Sequence, residues 1–536
     1  MKKNILLALA IATSATLFAQ EDSLRAVVNV ENDYAPVVTK ATKKGFTPQT
    51  EQATSNTPLA LEFSKKTTPF KGFTSERDIV ELLPGQKESY PGYVRLGYGT
   101  GNNVDGKISY QYDITERDNV KAMASIEGFS SNIDSPIRKW DSRMFNSWVS
   151  ADYSHRFDNL IMGMGGNFEN SVFNYQGYEI ADKQNYKKFD IGANVASQIT
   201  GPFSYKLGIG FARNHSKHTQ YSPDSRAENR LYINGLLSHE LDDEDLKNIN
   251  LGFDIKNYTY SGPATPKNFL LADFNPYTDI YLGDSKLHIG AYVNYISRNG
   301  SKFAIAPDLG IECALTKRLS LYTTIKGGRT AATFDAMEQI TPYWINIAEK
   351  PAYTIADITA GTRIAHENLS VDMYVGYAYT KDDFLNYAFD VTDLFSNSFM
   401  MVSAIAQENT TQIYIGANAS YDHEGWLKVG ANSRYTYWKC NEKHLLGTKP
   451  EFELGLNAES RFLEDFYITL AYNFATYNYD APSKNKHELN LRTSYKLLDR
   501  YGAFIEGNNL LNREYVKYAG YYEQGINILF GLSAAF

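Results

Sequence analysis

Segments of about ten residues in which every second side chain is apolar recur along most of this chain, and a period of two marks a strand with one greasy face. From His487 to Leu497 the odd positions carry His487, Leu489, Leu491, Thr493, Tyr495 and Leu497, against Glu488, Asn490, Arg492, Ser494 and Lys496. Phe452, Leu454, Leu456, Ala458 and Phe462 alternate with Glu453, Gly455, Asn457, Glu459 and Arg461. Leu427, Val429, Ala431, Tyr435 and Tyr437 alternate with Lys428, Asn432, Arg434 and Thr436. The last stretch repeats the pattern, with Ile526, Ile528, Phe530, Leu532, Ala534 and Phe536 on one parity. A strand of roughly ten residues, when tilted, crosses a bilayer. Soluble sandwiches use shorter strands.

Composition decides what the greasy faces meet. Mean hydropathy is low, yet aromatics make up 14% of residues, with 40 Tyr, 29 Phe and 38 Gly. Aromatic girdles, polar loops and glycine in packed strands give a transmembrane barrel such a balance. Past residue 19 no apolar run is long enough for a spanning helix. The composition hardly changes from Tyr93 to Phe536, so one domain is expected there.

The start "MKKNILLALAIATSATLFAQ" has two lysines, an apolar run and small residues up to Ala19, the layout of a secretory signal peptide. We read residues 1–19 as signal, 20–91 as a periplasmic or luminal segment, and 92–536 as the barrel. Short connections, among them "FDNL" (Phe157 to Leu160), "LGDS" (Leu282 to Ser285), "LTKRL" (Leu315 to Leu319) and "LLDRY" (Leu497 to Tyr501), alternate with long polar ones. Outer-membrane barrels have short periplasmic turns and long outer loops. The fold class is therefore all-β, a transmembrane antiparallel barrel of about 22 strands with a short N-terminal periplasmic extension. That count takes Phe399 to Tyr421 as one long strand, which leaves both ends periplasmic. The stretch from Gly327 to Pro351, Lys439 to Lys449 and Asn478 to Lys486 should then lie outside.

Near the end, "NNLLNREY" holds Asn509, Leu510, Leu511, Asn512, Arg513 and Tyr515. This run resembles the motif that precedes the last strand of TonB-dependent receptors, a family whose barrels also have 22 strands. Ile526 replaces the Arg that often follows the glycine of that ending. The terminal Phe536 is similar to the signal by which barrel-assembly machinery recognises its substrates. The "FAQ" signal ending and the Tyr-rich barrel resemble proteins of the Bacteroidota. Residues 20–91 are far fewer than the family's plug domain, and their polar composition is too thin to bury a core. The resemblance is thus to plugless receptor-like barrels.

A barrel this wide leaves a lumen that is normally plugged. The candidates for filling it are the N-terminal segment, the outer loops "KGGRTAATFDAMEQITPYWINIAEKPAY" and "TKDDFLNYAFDVTDLFSNS", or a partner. A subunit of an outer-membrane assembly, secretion or surface complex is the leading function. A channel or receptor for solute uptake, working with separate proteins, is the alternative. Expected partners are outer-membrane lipid and lipopolysaccharide, the barrel-assembly machinery during insertion, and periplasmic or outer-membrane proteins, with no nucleic acid. Within residues 20–91, Val27, Val28, Val30, Tyr34, Val37 and Val38 form the one patch of strand-like composition, a candidate partner segment.

No catalytic, metal or cofactor site is expected. The nine His are scattered, and the pair His215 and His218 in "HSKH" is assigned to an outer loop. "DDED", Asp242 to Asp245, is read as a solvated turn. Cys313 shares the parity of Phe303, Ile305, Leu309 and Leu315 and should face lipid, while Cys440 falls in an outer loop, so two unpaired thiols are expected.

Overall fold

The computed structural model describes residues 90–536 apart from 135–138, 177–182, 199–201, 218–224, 243–244, 299–301, 394–397, 464, 478–484 and 499. The wall opens with β1 (Gly92–Gly99), β2 (Val104–Asp113), β3 (Asp118–Asp134), β4 (Lys139–Arg156), β5 (Leu160–Phe173), β6 (Gln184–Ser197), β7 (Phe203–Lys217) and β8 (Arg226–Glu240). It continues through β9 (Leu246–Ser261), β10 (Phe269–Leu282), β11 (Ser285–Ile296), β12 (Phe303–Thr316), β13 (Leu319–Thr330), β14 (Ala352–His366), β15 (Leu369–Asp393) and β16 (Ser398–His423). It ends with β17 (Leu427–Lys439), β18 (Phe452–Leu463), β19 (Phe466–Thr476), β20 (Lys486–Leu498), β21 (Tyr501–Asn508) and β24 (Asn527–Ala535). The pair β22 (Val516–Tyr518) and β23 (Tyr521–Tyr522) forms a small separate ribbon.

The other strands make one 22-stranded sheet in which neighbours in sequence are neighbours in space. It closes where β24 pairs antiparallel with both β21 and β1. The closing bonds run both ways between Gly92 and Phe536, at 2.8 and 2.9 Å. On the luminal side of this seam the Phe504 ring lies against Gly531 and Gly97, where any Cβ would collide with it or with Leu529. Full closure removes the edges that an open sheet would expose.

Alternation sets the two faces. On β24 and just beyond it Phe530, Leu532 and Phe536 are exposed, while Asn527, Leu529, Ser533 and Ala535 are buried. Phe303 and Ile305 on β12 are about two-thirds exposed, at 66% and 69%, and similar residues line the outside of nearly every strand. Apolar surface on this scale meets lipid, not water. The chain is therefore a membrane-spanning barrel of the outer-membrane type.

Phe399 to Tyr421 is indeed a single strand, within β16. Two expectations need correction. "TKDDFLNYAFDVTDLFSNS" is not a loop: Thr380 to Asp393 continue β15, paired with β16 up to Asp393 opposite Ser398. His215 likewise stands in β7, opposite Lys187, because the ladder runs on to Lys217; His218 lies outside the described residues. Cys313 and Cys440 are both free, the first on β12 and the second just after β17.

Candidate functional site

The outer end of the barrel is where its chemistry concentrates. Between β13 and β14 the chain does not loop into solvent. Residues 331–351 turn into the lumen, and a short helix α1 (Phe334–Ile340) starts there, capped by the Thr333 hydroxyl accepting from Ala336 N at 3.1 Å. Gly327 to Thr330 belong to β13, and residues 331–351 of the loop expected at the outer end fold into the lumen, as one of the candidates for filling it would. Phe334, Met337 and Trp344 are fully buried, each such burial being worth about 1.5–3 kcal/mol.

The segment touches the wall on several sides. Toward β6–β9, Phe334 packs on Tyr260 at 5.6 Å between ring centroids, and Arg226 lies over the Trp344 ring at 4.7 Å. Toward β16, the Asn346 side chain brackets the Ile405 backbone, donating to its carbonyl at 2.8 Å and accepting from its N–H at 2.9 Å. Toward the ribbon that precedes the last strand, Tyr343 stacks flat on Tyr521 at 3.6 Å and meets Phe173 of β5 edge-on at 5.2 Å. A segment held from three directions spans the opening.

Charge supplies the anchor. Asp335 accepts from Lys188 and Arg230, each at 3.0 Å. Arg230 also reaches Asp190 at 3.0 Å, and Tyr232 donates to Asp190 at 2.8 Å. Glu228 accepts from Phe334 N at 2.8 Å and from Asn214 at 3.0 Å. Lys188, Asp190, Glu228 and Arg230 share the inward parity of β6 and β8, opposite Phe189, Ile191, Leu231 and Ile233. Burial pushes the Asp335 carboxyl up, but Lys188 and Arg230 outweigh it and hold the group down at about 2.

The extended β15–β16 hairpin completes the cover. It bends where the register shifts between Thr380 and Asp383, next to Asp382 with φ 51°. Beyond the bend both faces are covered: Phe384 packs with Phe334 and Trp344, while Leu385 packs with Trp438, Leu445 and Leu446. Asn386 ties the hairpin to the ribbon, accepting from Ala519 N at 3.0 Å.

One carboxyl of the segment makes closure sensitive to pH. Burial pushes Glu338 up to about 8, with Glu169 and Asp335 adding to the rise, against a Trp344 indole N–H that donates to it at 2.9 Å and against Lys188. Docking therefore binds a proton. Its contribution is fully present below the ordinary carboxylate value and is lost as pH rises through about 8. We expect the closed segment to loosen between about pH 4.5 and about 8, seen as faster labelling of a cysteine placed at Ala336, and we expect Glu338→Gln to flatten that profile. An unchanged profile in the variant would sink the assignment.

The motif residues lie together above β21. Asn509 is buried with φ 48°; its N–H donates to Asn490 at 2.9 Å, and its amide donates to the Arg513 and Gln524 carbonyls at 3.0 and 3.1 Å. Asn512 accepts from Ile526 N at 2.9 Å, and Leu510 N donates to the Leu489 carbonyl at 2.8 Å. Tyr515 is buried under Lys486, whereas Leu511 is exposed. These contacts fix the approach to β24. Phe536 stacks on Tyr110 at 6.2 Å on the lipid side. Val27, Val28, Val30, Tyr34, Val37 and Val38 lie outside the described residues. The inward charges Lys188, Asp190, Glu228 and Arg230 were not singled out by the sequence reading.

No family model and no curated protein matches the sequence. Solved structures do match the fold. A ferric enterobactin receptor of Pseudomonas aeruginosa superposes with TM-score 0.64 at 11% identity, over 83% of this chain and 80% of that one. The siderophore receptor PirA of Acinetobacter baumannii gives 0.65 at 10% identity, over 83% and 80%. The copper transporter OprC gives 0.63 at 10% identity, over 84% and 80%. The chain has the 22-stranded barrel fold of such outer-membrane receptors and transporters.

Proposed function

We propose that the protein is a non-enzymatic outer-membrane channel or receptor for solute uptake that works with separate partner proteins and is closed at its outer mouth by residues 331–351. The observation that carries this is the nature of the closure. A permanently sealed structural ring needs only an apolar filling, whereas this segment adds to its buried Phe334, Met337 and Trp344 a set of salt bridges, hydrogen bonds and ring contacts that can be exchanged for contacts with a solute or partner. The neighbours that share the fold are named as receptors and a transporter, which favours uptake over the other reading, a subunit of an assembly, secretion or surface complex.

The resemblance to TonB-dependent receptors, combined with the brevity of residues 20–91, leads us to place the chain among plugless members, and the "FAQ" ending and Tyr-rich barrel lead us to a Bacteroidota-type one. Partner contact is then assigned to Val27, Val28, Val30, Tyr34, Val37 and Val38, and recognition by the assembly machinery to Phe536. Gentle purification from membranes tests the proposal. The full chain is expected to come alone or with periplasmic proteins, and deletion of Gln20 to Ser64 to release those partners while the barrel stays inserted. Stoichiometric recovery with secretion or assembly machinery would overturn the uptake reading.

A further inference from the structure

Outside the barrel, above the lipid-facing belt of β6–β8, the wall changes character within one residue pair. Phe189 and Ile191 on β6, and Ile209 and Phe211 on β7, are exposed apolar side chains of outward parity. The next outward positions toward the outer rim are Lys187 on β6 and Arg213, His215 and Lys217 on β7. Register sets them side by side: Phe189 is opposite Arg213, Lys187 is opposite His215, and Asn185 is opposite Lys217. Successive outward residues on a strand stand about 7 Å apart, so one multiply charged anion can meet two or three of these cations.

Arg213 donates to Asn229 at 2.9 Å, and Asn185 donates to Asn170 at 2.8 Å. Every carboxylate on β5–β9, namely Glu169, Asp190, Glu228, Glu240 and Asp254, takes the inward parity. A chain with net charge −8 thus presents an outward face over five strands with cations and no carboxylate. The row follows directly on the exposed apolar residues, toward the end of the wall that carries the long loops.

We propose that Lys187, Arg213 and Lys217 bind the phosphate-bearing headgroup of an outer-leaflet glycolipid, whose acyl chains lie on Phe189, Ile191, Ile209 and Phe211 below. Charge complementarity selects phosphate, to which Arg donates through a fork and Lys as a point charge. Continuity with the belt selects a lipid source over a free anion. A basic cluster at the membrane surface is the usual signature of anionic lipid recognition.

The test uses the full chain, delipidated in detergent and offered lipid A, dephosphorylated lipid A or inorganic phosphate, with bound lipid counted by native mass spectrometry. Wild type is expected to retain lipid A, and the triple variant Lys187→Gln, Arg213→Gln, Lys217→Gln to bind it about tenfold or more weakly. Dephosphorylated lipid A should bind both equally weakly. The single variant Lys217→Gln, at the strand end, gives a milder loss if the triple variant does not fold, and heat-modifiable gel mobility reports folding. A folded triple variant that binds lipid A as wild type does, equal wild-type binding of the dephosphorylated lipid, or displacement of lipid A by inorganic phosphate at matched concentration would each overturn the proposal.

Discussion

Replacing residues 331–351 by an Asn-Gly turn should convert a barrel that passes no resolvable current into an open pore. Thr330 and Ala352 face each other in register, so a two-residue turn can close β13 onto β14 without disturbing the ladder. The deletion removes Phe334, Met337 and Trp344 from the lumen, the Tyr343 stack on Tyr521, and the Asp335 anchor. The wall is untouched, since every strand of the 22-stranded sheet lies outside the deleted residues. Conductance steps in planar bilayers, and entry of large hydrophilic antibiotics into cells, are the readouts. If the variant inserts normally but stays silent, the closure lies elsewhere, in the β15–β16 hairpin that remains, in the N-terminal segment or in a partner.

How far this was legible follows from which physics is local. The barrel could be read because alternation is repeated along each strand, and because a slip of one residue would turn every lipid-facing side chain inward. Phe530, Leu532 and Phe536 could not face water in such a chain. The bent hairpin was hidden for the opposite reason. In "TKDDFLNYAFDV" the neighbours Phe384 and Leu385 are both apolar, which breaks the period of two and looks like a loop. Both are buried because α1 covers one face and the turn at Leu445 and Leu446 covers the other. Alternation shows only strands with one covered face.

The anchor was hidden differently. Lys188 and Arg230 occupy ordinary inward positions, and a luminal cation in water has the same sequence signature as one bound to a carboxylate. Only the fold brings Asp335, more than a hundred residues away from each, between them. The motif at Asn509 was easier, since resemblance pointed to it. Its physical content, an Asn with positive φ that ties three parts of the last loop, needed coordinates.

Arg230→Ala should have the second largest effect, and it separates the anchor from the bulk of the segment. The guanidinium lies between Asp190 and Asp335, all three side chains less than a fifth exposed. Its loss leaves two carboxylates with Lys188 as the remaining cation on Asp335. Removing one partner of a buried charge set costs about 3–5 kcal/mol, which is on the order of a hundredfold or more in the ratio of docked to undocked segment. A cysteine at Ala336 should then react with a water-soluble maleimide far faster than in the parent, against a low background from Cys440, which is buried, and from Cys313, which shares the lipid-facing parity. Neutralising the whole set, with Lys188→Met, Arg230→Met, Asp190→Asn and Asp335→Asn, should restore much of the protection, because no charge of the anchor is then left without its partner. Equal labelling of Arg230→Ala and its parent would show that apolar packing alone holds the segment, and that the salt bridges set its position without holding it shut.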